Sequence, residues 1–202
     1  MINRVTISQT AISRALDFIS SIGLEHRAVK SLCGTFLPNI RICEGILEYA
    51  PRATVGDLLH EAGHIAVTPD IFRSKIDGDA SESVVSHFEK WFEANPNAFG
   101  YPEKPLARAI IQSGEQEAIA WSFAAARAAK INDELPFQRG FNGEGMSVWH
   151  DLTLGHHAGI KGLHHAGMTV YRSVANQGPF FPHMKKWLQN GFIEAVVAVG
   201  AP

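Results

Sequence analysis

The chain has 202 residues, of which 46% are hydrophobic and 19% charged, with a formal net charge of −2. That length most economically makes one domain, residues 1–202, with a full core. The near-neutral balance gives no electrostatic case for a nucleic-acid partner or an anionic membrane surface. No apolar run approaches the roughly 20 residues needed to cross a bilayer. Met1 to Thr10 lacks the apolar core of a signal peptide, so the expected location is cytoplasmic. Cys33 and Cys43 are the only cysteines. They flank a strand region, signal no particular disulfide, and suit a reducing compartment.

In chain order, Ser8 is placed to cap a first helix from Gln9 to about Ser21, with Ala11, Ile12, Ala15, Leu16 and Ile19 on one face. Residues 25 to 50 read as strands, with Glu44-Gly45 as a hairpin turn between Ile40, Ile42 and Ile46, Tyr49. Thr54 and Asp57 resemble a capping box, and Val55, Leu58, Leu59, Ala62 and Ala66 repeat at helical spacing until Pro69 ends the segment.

This helix carries His60-Glu61-Ala62-Gly63-His64, the pattern HExxH. Residues four apart are separated by about 40° around a helix, so both imidazoles can reach one metal ion from the same face. Glu61 stands beside that face, where a general base for a water at the metal belongs. The pattern predicts a zinc-dependent hydrolase, most simply a peptidase acting on a peptide or protein substrate. The alternative is a metal-binding or scaffold protein with little turnover, which would have no need of Glu61.

Catalytic zinc usually takes three protein ligands. Asp70 lies six residues after His64, but Val67 stands where the short-range pattern needs a glycine. The stronger source is a later helix. After Pro69 comes a polar stretch to about Ser81, then a helix from about Glu82 to Glu93, then a loop over residues 95–112 rich in Pro and Gly. Ser113 and Gln116 read as a capping box, and Glu117 to Lys130 contains seven alanines and no Pro or Gly. Glu117 falls in line with Trp121, Ala124 and Ala128, whereas Glu115 points the other way, beside Ser122. An acid on an apolar stripe needs a partner, and a metal would supply one. The expected ligands of a single zinc ion are therefore His60, His64 and Glu117.

The last third repeats His156-His157-Ala158-Gly159 as His164-His165-Ala166-Gly167. His157, His164 or Tyr171 is the expected hydrogen-bond donor to the oxyanion of a tetrahedral intermediate. The alternatives are a further metal site, or histidines at a helix packing seam. The segment 141–183 is assigned to the same domain as the rest.

HExxH followed by Glu117, Ala120, Phe123 and Ala124, in the order Glu-x-x-Ala-x-x-Phe-Ala, resembles the gluzincin metallopeptidases, nearest to the repressor-cleaving and radiation-response regulators. The resemblance covers about residues 35 to 130. Trp121 replaces the usual asparagine, Thr68 stands where many members carry a histidine, and no helix-turn-helix segment is seen. The resemblance implies an α+β, zincin-like domain. A small, mostly antiparallel sheet would pack on the HExxH helix, with a mainly helical C-terminal part. It also implies that an edge strand within residues 36–50 pairs with an extended substrate.

Overall fold

The computed structural model describes residues 4–32, 37, 39–78, 83–100, 104–138, 145–172 and 178–190. Within them the fold is α+β, a three-stranded sheet with helices. The helix α1 (Arg4–Ser21) leads into β1 (His26–Ala28), β2 (Ile40–Cys43) and β3 (Ile46–Tyr49). Then follow α2 (Val55–Val67), α3 (Asp70–Arg73), α4 (Val85–Glu93), α5 (Pro105–Ile111) and α6 (Glu115–Ala128). A 3₁₀ turn (Leu135–Phe137), α7 (Gly145–Leu154) and α8 (Ala158–His165) complete the order.

The strand order is β1-β3-β2, with β3 antiparallel to β2 and parallel to β1. The sheet is thus mixed rather than mostly antiparallel. Glu44 and Gly45 both take positive φ, which the expected hairpin turn requires. Register places Glu48 directly between Arg27 and Arg41. Its buried carboxylate accepts Arg27 Nε at 2.6 Å and Arg41 Nε at 2.5 Å. Burial alone would raise its pKa, but those two guanidinium bonds more than offset this and hold it below the usual range. The outer edge of β2 is occupied by the chain itself. Gly78 N–H donates to Ile42 O at 2.8 Å, and Gly45 N–H to Ile76 O at 2.9 Å. At those positions an extended substrate cannot add to this edge without displacing residues 76–78.

Two elements depart from their expected bounds. Residues 105–111, expected as loop, form α5, because Pro105 sits in its first turn, where a missing N–H costs nothing. The first helix begins at Arg4, ahead of Ser8.

α2 is the central element. Thr54 caps it as expected, accepting Asp57 N–H at 3.1 Å and donating to Asp57 Oδ2 at 2.7 Å. Its far end is closed by Thr68, whose hydroxyl and N–H both bond His64 O. Arg73 adds bonds from Nε to Ile65 O and Thr68 O. Almost the whole of α2 is buried, against α1, the sheet, the 3₁₀ turn and above all α6. The segment 178–190 returns to this centre. Gln189 N–H donates to Ala66 O, and Trp121 Nε1 to Trp187 O. Among the described residues no helix is long and apolar enough to cross a membrane.

Candidate metal centre on α2 and α6

His60 and His64 project from one side of α2, as their spacing requires, with side chains 12% and 8% exposed. Their Nε2 atoms are 3.2 Å apart. The third member is Glu115, in the first turn of α6. Its Oε1 lies 3.3 Å from His60 Nε2 and its Oε2 3.1 Å from His64 Nε2. Donors bonded to one tetrahedral zinc at about 2.0–2.2 Å stand about 3.3–3.6 Å from one another. The three separations, 3.1–3.3 Å, lie at or just under that spacing, so the group could hold a metal ion between the two rings and the carboxylate. Glu115 is 49% exposed, so the group opens to solvent on its side.

Burial and the neighbouring His64 push His60 down to about 4, against an upward pull from Glu115. The ring is neutral at pH 7, the state in which imidazole binds a metal. Glu61 is buried on α2 between the two histidines in sequence, at 9% exposure.

Glu117, the acid expected as third ligand, is not in this group. It turns back on its own helix. Gly114 is the N-cap of α6, and the Glu117 carboxylate faces the backbone N–H groups of Gly114 and of Glu117 itself, which pull its pKa down. This is the returning half of a capping box, one residue out of register with the Ser113–Gln116 pair. Ser113 instead donates its hydroxyl to Ile110 O. Burial raises the Glu117 pKa, and the two backbone bonds lower it by less. The apolar stripe misled because α6 is buried on all sides from Glu117 to Ala126. The face that meets α2 does so at Ala118. A Cβ built at Gly63 would lie 2.7 Å from Ala118 O, so the helix backbones nearly touch there. Ala118 is one turn beyond Glu115, which brings that carboxylate over His60 and His64. The signal available in the sequence was thus Gly63, which the structure sets against Ala118. Asp70 is exposed at the start of α3 and also outside the group.

The histidine-rich segment packs on the other side of α6. A Cβ at Gly159 would fall 1.8 Å from Gln116 O, and one at Gly162 1.7 Å from Glu117 Oε1. These glycines bring α8 against the first turn of α6, beside the candidate centre. The histidines there have structural partners. His157 is the N-cap of α8, its Nδ1 accepting Gly159 N–H at 3.2 Å. His164 Nδ1 is 3.4 Å from Thr169 O. Tyr171 is placed elsewhere. It lines a cavity with Phe123 and Arg127, two or more turns along α6 from Glu115, or about 12 Å or more of helix. Cys43 carries a free thiol, and Cys33 lies outside the described residues. No family model, no curated protein and no solved structure matches this chain.

Proposed function

We propose that the chain is a zinc-dependent hydrolase in which His60, His64 and Glu115 hold one ion and Glu61 is the general base. The observation that carries this reading is the convergence of the two imidazoles of α2 with the Glu115 carboxylate of α6, their donor atoms 3.1–3.3 Å apart, while α2 also supplies Glu61. A bound zinc would supply Lewis acidity toward water and toward a substrate carbonyl. Glu61 takes a proton from the attacking water and passes it to the leaving group. The choice of a peptide bond rests on the resemblance to gluzincins, and the exposed side of Glu115 is the approach open to such a substrate. The β2 edge at Ile42 is a poor platform for it, since Gly78 is already bonded there.

The test uses zinc-loaded protein with an unfolded protein such as casein as substrate. Glu61→Gln should retain about one zinc per chain and lose turnover by on the order of 10²–10⁴-fold. Unchanged turnover in this variant, or no zinc retained by the wild type, would overturn the proposal.

A further inference from the structure

Away from the metal centre, a cavity of about 220 Å³ lies between the C-terminal half of α6, α7, α8 and the segment around Tyr171. Its volume exceeds the roughly 150 Å³ that suffices to hold a benzene molecule. The lining divides by chemistry. Phe123 and Leu152 are buried, and Phe181 stacks on Phe123 with ring centroids 5.8 Å apart and planes at 19°. The outer part carries Arg127, Arg172 and the ring of Tyr171. Among the described residues no carboxylate lines the cavity.

Arg127 is held in place rather than extended at random. Its guanidinium lies over the Phe123 ring at 5.8 Å, and its Nη1 is 3.4 Å from Asp133 Oδ2. Asp133 is in turn fixed by Trp149 Nε1 at 3.1 Å. Lys161 Nζ sits over the Tyr171 ring at 5.8 Å and adds positive charge beside the cavity. Two guanidinium groups at the mouth of an aromatic and aliphatic hollow match a ligand with a charged head and an apolar body. Guanidinium pairs with a carboxylate or a phosphate through two oxygens. A tetrahedral inorganic anion would leave the apolar part empty.

We infer that this cavity binds a small organic carboxylate with an aromatic or branched apolar body, its carboxylate between Arg127 and Arg172 and its body against Phe123 and Phe181. The site is independent of the proposed hydrolase activity, because none of its lining residues belongs to the metal centre. Its connection to that centre is α6, which carries Glu115 in its first turn and Arg127 in its last.

The experiment is titration of the full chain with 3-phenylpropanoate, its neutral amide and inorganic phosphate, followed by calorimetry and by NMR shifts. The acid should saturate, and the amide should bind at least tenfold more weakly. Phosphate should not compete at equal concentration. Arg172→Gln should weaken the acid at least tenfold while leaving the amide unchanged. Arg172 is exposed, so this variant tests recognition without risking the core. Arg127→Gln is the second variant, expected to act in the same direction. Equal binding of acid and amide, stronger binding of phosphate, or no saturation by the acid at millimolar concentration would each overturn the assignment.

Discussion

Glu115 and Glu117 stand two residues apart in the first turn of one helix, and the fold gives them opposite work. Glu115 is half exposed and lies against two imidazoles of α2. Glu117 is buried under α8 and spends its oxygens on the backbone at the helix start. An N-terminal turn favours either carboxylate through its exposed N–H groups and dipole. What separates them is the neighbour on each side. Toward α2 the contact is Gly63 on Ala118, which leaves Glu115 reaching past the crossing to the histidines. Toward α8 the contacts are Gly159 on Gln116 and Gly162 on Glu117, which seal Glu117 from water. A buried acid is not by itself a ligand; its partner here is its own helix.

The largest expected effect separates the two acids directly. Glu115→Ala removes one donor of three and should lower zinc affinity by at least on the order of a hundredfold, as read by competition with a chelating dye. Glu117→Gln keeps the shape of the side chain and should leave zinc affinity within about threefold, with some loss of stability from the altered cap. The reverse outcome, zinc lost with Glu117 and retained without Glu115, would restore Glu117 as the ligand and refute the geometry described above.

The glycines allow a second separation. Gly159→Ala meets a backbone carbonyl that cannot swing away, and Gly63→Ala meets another at a less severe distance. Each should destabilise by about 1–3 kcal/mol, net of the ~1 kcal/mol that alanine gains over glycine in a helix. Gly162→Ala meets the end of the Glu117 side chain, which can move, and should cost least. Urea denaturation of the metal-free protein gives the order. Zinc affinity should single out Gly63→Ala, because only that change forces α2 from α6 beside the ligands. Equal zinc affinity in the Gly63 and Gly159 variants would mean that the α2–α6 crossing does not set the donor spacing.

The α2 half of the site was legible in the sequence because local rules fix it. Helical spacing alone sets His60 and His64 side by side, and Thr54 and Pro69 mark the helix ends. The hairpin at Glu44-Gly45 was legible for the same reason. The α6 half was not, because choosing between Glu115 and Glu117 depends on which side of a fully buried helix meets α2. Periodicity identifies an apolar stripe but not the neighbour that covers it. The parallel pairing of β1 with β3 is likewise a tertiary fact, as is the occupation of the β2 edge by residues 76–78. Among the C-terminal histidines, the glycines signalled close packing, which the structure places on α6. The sequence did not reveal that His157 is used as a helix cap.

That cap gives the smallest and most specific expectation. His157 Nδ1 can accept Gly159 N–H only while it carries no proton, and burial lowers the pKa of the ring, with Asp151 pulling the other way. In the unfolded chain the ring titrates near its ordinary value of 6.5. Where the folded pKa is the lower one, the unfolded state binds more protons between the two values. The contribution of His157 to stability is therefore fully present above pH 6.5 and declines as pH falls toward the folded pKa. His60 is lowered too, so the wild-type slope contains both groups. His157→Asn retains a side-chain acceptor for the helix start but does not titrate. Its urea stability, compared with wild type in the metal-free state, should match most closely above pH 7 and fall less steeply as the pH drops below about 6.5 over that interval. Parallel curves for the two proteins over that interval would show that the His157 ring enters the fold without regard to its charge.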